Sequence, residues 1–229
     1  MSKQHSERIT LNKIKNMNNI KKMTLALAFT TIGFVAQAQK SFTEGATTYN
    51  LTSEGQQSEA KIFFKGDSSS YQFQVGPANI KLLSGNKANF MAILVEVPVA
   101  SMKKVAVYTP ADMEKMKDRE PSFTSTPTSE TQTIAGYNCK KVIVKDSKNN
   151  LTFDVWVTND ISAPSNTFTK YFTDINGFPV KFTTLVQGKK TDVLLKSISA
   201  EKVKPGTFTI PADFDRITLT ELMSMGGGQ

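Results

Sequence analysis

The sequence predicts an α+β domain built mainly from antiparallel β-strands. Three observations carry that prediction. Apolar residues recur with a period of two over most of the chain, the signature of strands with one buried face. The alternating runs are short and are separated by Gly, Asn, Asp and Pro turn signals. Helical patterning is confined to one segment midway and one at the end. Helices therefore do not alternate with strands, as they would in a parallel α/β sheet.

The elements follow in order. "TTYNLTSE" alternates Thr47, Tyr49 and Leu51 with polar neighbours. "KIFFKGDSSSYQFQV" reads as two strands about a Gly66-Asp67 turn, with Tyr71, Phe73 and Val75 on one face. "NIKLLSGNKANFMAILVEV" reads likewise about Gly85-Asn86, and "KKVAVYT" is a further short strand. A helix is predicted at "PADMEKMKDREP": Pro110 and Asp112 sit near its start, Met113 and Met116 are three apart, and Pro121 ends it. The Ser/Thr-rich "REPSFTSTPTSETQT" is expected to be a long loop inside one domain, since neither half alone is large enough to bury a full core.

"AGYNCKKVIVKD" and "LTFDVWVTND" flank a polar "SKNN" and predict a hairpin. Leu151, Phe153, Val155 and Val157 share one of its faces. "APSNTFTKYF", broken by Pro164, predicts a loop with a helical turn. "GFPVKFTTLVQGKKTDVLLKSISAEKV" predicts two strands joined through Gly188. The C-terminal stretch predicts an extended Phe208–Ile210, an amphipathic helix carrying Ile217, Leu219 and Leu222, and a flexible glycine tail. The reading yields about ten strands and two short helices.

The first 38 residues read as a secretory signal peptide rather than part of the fold. Lys21 and Lys22 precede a 13-residue apolar run, and "AQA" ends at a small-residue cleavage site between Ala38 and Gln39. A membrane span needs about 20 apolar residues, so this run is too short for an anchor. The expected product is residues 39–229, one β-rich domain, not membrane-spanning after cleavage and located in the periplasm or outside the cell. The whole chain has a formal net charge of +8, but removing the leader leaves 22 basic and 19 acidic residues. The basic balance thus belongs largely to the export signal, and no nucleic-acid partner is expected.

The sequence lacks most catalytic sets. Its single histidine, His5, lies in the leader. Ser-His-Asp and Cys-His catalysis and His-based zinc sites are therefore not expected. No phosphate-binding glycine loop, dinucleotide fingerprint or EF-hand pattern occurs. No cofactor, no metal and no enzymatic activity are expected. Carboxylate-only hydrolysis stays open as an alternative, although Asp154, Asp160, Asp174, Asp192 and Glu201 are isolated in strands and turns. The single cysteine, Cys139, shares a strand face with Tyr137, Lys141 and Ile143. With no histidine to activate it, a packed, inert thiol is the favoured reading. A redox-sensitive thiol and an intermolecular bridge are the alternatives.

"TQTIAGYNCKKVIVKDSKNNLTFDVWVTNDI" resembles the I-x-G-Y-x-C-K-K … V-W-V-T-x-D pattern of domain of unknown function 4412, found in exported proteins of Bacteroidetes. "NGFPVKFTT" and "FTIPADF" are similar to two further stretches of that pattern. The resemblance implies a LolA/LppX-like architecture: a curved antiparallel half-barrel with a helical segment over its concave face, and an apolar cavity suited to acyl chains. It carries no catalytic residues. The expected function is a non-enzymatic periplasmic binding or carrier domain for a lipid or a lipoprotein acyl chain. The alternatives are an envelope scaffold or interaction protein with a filled core, and a carboxylate-based hydrolase. By strand parity, Phe63, Phe73, Phe90, Phe153, Val155 and Phe182 are the candidate lining, with Met113 and Met116 as a deformable cover.

Overall fold

The computed structural model describes residues 39–85, 89–172, 174–186 and 189–226. The leader and its cleavage residue Ala38 lie outside them, as do the turn residue Asn86 and the strand joint Gly188. The first hairpins are β2 (Glu44–Ser53) with β3 (Gln56–Lys65), β4 (Ser68–Val75) with β5 (Ala78–Gly85), and β6 (Phe90–Val97) with β7 (Met102–Val107). Helix α1 (Pro110–Arg119) follows, then β8 (Phe123–Ile134), β9 (Tyr137–Asp146) and β10 (Leu151–Thr158). β12 (Phe178–Val186), β13 (Lys189–Ser199), β14 (Asp215–Ile217) and α2 (Leu219–Gly226) complete the chain. Two-residue strands β1 (Lys40–Ser41) and β11 (Ile161–Ser162) pair separately and in parallel.

Twelve strands form one open sheet in the order β14-β7-β6-β5-β4-β3-β2-β13-β12-β10-β9-β8. Every pairing in it is antiparallel except β14 with β7. The sheet cannot be flat. β7 and β8 are ten strand steps apart, about 48 Å in a planar sheet. Yet α1 and its flanks join them, and a 10-residue helix with seven extended steps reaches about 38 Å at most. The ends of the sheet must therefore curl or twist towards each other. α1 starts where predicted, with a reciprocal capping box in which Thr109 and Asp112 satisfy each other's backbone N–H groups.

Two expectations change. The Ser/Thr-rich stretch is not a loop but β8, the edge strand. Thr favours extended backbone, and an irregularity between Pro127 and Thr131 absorbs the proline, which cannot donate to the ladder. At the C-terminus, Ile217 ends β14 instead of starting the helix, and 206–213 is a run of turns, not a strand.

Register defines two faces. On the front lie Thr47, Ile62, Tyr71, Leu82, Ile93 and Ala106, aligned across six strands. On the back lie Lys141, Trp156, Lys181, Leu194, Asn50 and Glu59, aligned across the other part of the sheet. The larger apolar cluster fills the front over β2, β13, β12, β10 and β9, with Tyr49, Val155, Val180, Phe182, Val193 and Leu195 at its centre. A smaller one, Leu83, Ala92, Leu94 and Val105, sits on the back of β5–β7.

The larger cluster is roofed by the segment between β11 and β12, which contributes Phe168, Phe172 and Ile175. Aromatic edges carry that packing: Tyr49–Phe168 at 5.7 Å, Phe172–Phe182 at 4.9 Å and Phe123–Phe172 at 5.4 Å between centroids. Buried Asn166 pins the roof, donating from Nδ2 to the Tyr49 hydroxyl at 3.1 Å and accepting from the Phe168 N–H at 3.0 Å. The chain after β13 covers the smaller cluster with Ile210 and Phe214. Lys81 donates to the Gly206 carbonyl, and Lys103 pairs with Asp213 at 2.7 Å.

Candidate apolar-ligand surface

β4 to β7 carry a second apolar face. Their front row Tyr71–Leu82–Ile93–Ala106 has the parallel row Phe73–Ile80–Val95 beside it, ending at Lys104. Apart from buried Ala106, these side chains are half-buried. Apart from Tyr71, which packs against the larger cluster, none belongs to either apolar cluster among the described residues. Met91 and Met102 extend the surface at its two ends. The two rows carry no charge until Lys104, which is paired with Asp215 at 2.9 Å. α2 packs on β7 at this border, burying Leu222. Thr218 caps α2, and its backbone and side-chain donors hold the Glu221 carboxyl below the usual range.

A distinct apolar cleft of about 330 Å³ opens where the β9–β10 and β12–β13 hairpins diverge. β10 and β12 pair only from Trp156–Lys181 to Thr158–Phe178, across a register shift. Beyond that point Phe123, Leu151, Phe153, Tyr171 and Leu185 line the gap. Asp146 holds its corner, accepting from Ser122, Lys148 and Asn149. Burial pushes Asp146 up, but the Asn149 side chain and three backbone N–H donors outweigh it, and the net direction is down.

The six residues predicted by strand parity and the two covering methionines do not form one site. Phe73 lies on the open front surface and stacks on Tyr71 at 5.0 Å. Phe153 lines the cleft, 5.6 Å from Phe123. Val155 and Phe182 are core residues, 0% and 2% exposed. Phe63 and Phe90 face the back, Phe63 beneath the Lys61 ammonium at 4.7 Å and Phe90 against the smaller cluster. Met113 and Met116 are half-buried on α1 and belong to neither cluster. Parity within one hairpin does not specify which face is shared across a twelve-strand sheet, and so does not single out Leu82, Ile93, Ile80 and Val95. The signal for them was present: β6 reads "FMAILVEV", apolar at every position but Glu96. An unbroken apolar run marks a strand shielded on both faces.

Cys139 is 1% exposed within the larger cluster, and burial pushes its thiol up to about 11. Among the described residues no group of three metal-ligating side chains occurs, and no helix is long and apolar enough to cross a membrane.

The fold and surface define a β-rich domain: a large, mainly antiparallel open sheet with two short helices. The chain belongs to the family described as Domain of unknown function (DUF4412), whose model matches residues 42–214. No curated protein matches it. Among solved structures it is similar to one described as "Structure of PNGF-II in C2 space group", with 19% identity, a TM-score of 0.49 and 80% of this chain covered. The chain spans about a third of that protein's length, 32%. A DUF1329 family protein from Desulfovibrio piger matches at 9% identity and a TM-score of 0.24, over 72% of this chain and 88% of its own.

Proposed function

We propose that the protein is a non-enzymatic carrier or binding domain for an apolar ligand, a lipid or a lipoprotein acyl chain, held on the front of β4–β7. The observation that carries this reading is the doubly apolar β6. Its back residues Ala92 and Leu94 are covered by Ile210 and Phe214. Its front residues Ile93 and Val95 belong to no described cluster, and an apolar patch left out of a core marks a binding surface. An alkyl chain demands no hydrogen bonds, and before Lys104 the only side-chain polar group in the two rows is the Tyr71 hydroxyl. The sheet is the curved half-barrel of the LolA-like group, and the chain is exported to the periplasm of a Bacteroidetes cell through its N-terminal leader.

The test is titration with a fluorescent long-chain fatty acid, together with native mass spectrometry of the purified protein. Saturable binding that falls at least tenfold in Ile93→Asn and Leu82→Asn is expected. No binding, or binding indifferent to both substitutions, overturns the reading.

A further inference from the structure

The back of the sheet carries a second, chemically opposite surface. A groove of about 550 Å³ crosses β3, β2, β13 and β12, and one of about 400 Å³ continues it over β12 and β10. The two share Lys181 and Asp192. Register places Trp156, Lys181, Leu194, Asn50 and Glu59 in one line along this groove. Thr183, Asp192, Thr52 and Gln57 form the line beside it. Four strand steps separate Trp156 from Glu59, about 19 Å. Irregularities at Trp156/Val157 and Leu195/Ser197 fall within the same strands, where such insertions bend and re-aim a sheet.

The chemistry of the lining selects a ligand class. Asn50, Thr52 and Gln57 present neutral donors and acceptors, and none hydrogen-bonds to another side chain among the described residues. The charges balance: Lys181, Lys190 and Lys196 face Glu59, Asp154 and Asp192. Most are already engaged, Lys196 by Glu59, Asp154 by Lys141 at 3.0 Å, and Asp192 by the Thr183 hydroxyl at 2.7 Å. An apolar chain would strand the amides and hydroxyls. A strongly charged ligand would meet no net opposite field. Half-buried Trp156 offers an aromatic ring at one end, an apolar body suited to a partly polar ligand.

We propose that this groove binds a neutral, hydroxyl-rich chain, an oligosaccharide lying across the strands with its end on Trp156. This surface is on the opposite face from the apolar rows and does not depend on their role.

Trp156 is the sole tryptophan of the sequence, so intrinsic fluorescence reads this groove directly. The probes are three neutral linear hexasaccharides: cellohexaose, maltohexaose and chitohexaose. At least one is expected to produce a saturable emission change, with affinity about equal at low and high salt, as befits an uncharged ligand. Asn50→Ala and Gln57→Ala, both at surface positions, are expected to weaken it at least fivefold each. Ile93→Asn on the front is expected to leave it unchanged. Three outcomes overturn the proposal: no saturable change with any of the three, a change undiminished in both groove variants, or displacement of the sugar by a fatty acid. Loss of fatty-acid binding with sugar binding intact would instead sink the carrier reading alone.

Discussion

The two halves of the sheet solve opposite problems. Strands β2, β13, β12 and β10 are conventional: apolar in front, polar behind, with Tyr49, Val193, Phe182 and Val155 under the roof and ion pairs such as Lys196–Glu59 on the back. Strands β5 to β7 carry an apolar patch on each side. Their back is closed by Ile210 and Phe214, while their front is left half-buried. The first group is sealed on its front by an internal loop held by buried hydrogen bonds. The second group is sealed on its back by the C-terminal stretch, held by surface lysines. A core closed from inside the chain should unfold with the whole domain, and one strapped from outside should open locally.

The sharpest way to break that contrast is a pair of truncations. Phe168 is 6% exposed beneath the roof, and Phe168→Ala should cost about 3–5 kcal/mol of global stability in urea unfolding. Phe214 is half-buried on the strap, so Phe214→Ala should cost about 1–2 kcal/mol. Its effect should concentrate in faster amide exchange of β14, α2 and the back of β7. Equal global losses from the two, with no local exchange difference, would mean that the halves are one cooperative core.

The sequence made the strands and hairpins legible because half-buried alternation is a local signal. "SKNN" marked the β9–β10 turn, and Pro110 and Asp112 marked the start of α1. It did not disclose which face each hairpin contributes, since that depends on pairings between strands far apart in the chain, such as β13 with β2. The roof was hidden for a related reason. "APSNTFTKYF" reads as loop, and its role comes from Phe168 reaching Tyr49 more than a hundred residues earlier. The apolar front of β5–β7 was readable in "FMAILVEV", but a continuous apolar run looks the same whether its second face meets a core or a ligand.

A smaller effect tests the roof itself. Asn166→Ala removes the donor to the Tyr49 hydroxyl and the acceptor for Phe168 N–H, leaving buried polar groups unpaired. The expected loss is about 1–3 kcal/mol. Adding Tyr49→Phe deletes the orphaned hydroxyl and should recover part of it, so the double mutant should be more stable than the sum of the singles predicts. Strict additivity would show that the Asn166–Tyr49 bond does not hold the roof.

The smallest effect compares a pin inside with a pin outside. Asp146 is 3% exposed and ties Ser122 to the β9–β10 corner, while Glu44 accepts the Val203 N–H at the solvent-facing start of the strap. Both carboxyls are held low in the folded state. A depressed folded pKa contributes stability above the unfolded value, near 4 for Asp, and loses it as pH falls through the folded one. Asp146→Asn should therefore cost about 1 kcal/mol at neutral pH. Wild type should converge on the variant below about pH 4, as its own carboxyl is protonated. Glu44→Gln should leave neutral unfolding midpoints within error, because its hydrogen bond competes with water. A gap between wild type and Asp146→Asn that stays constant from neutral pH into acid would mean that Asp146 stabilises the corner by shape and not by charge.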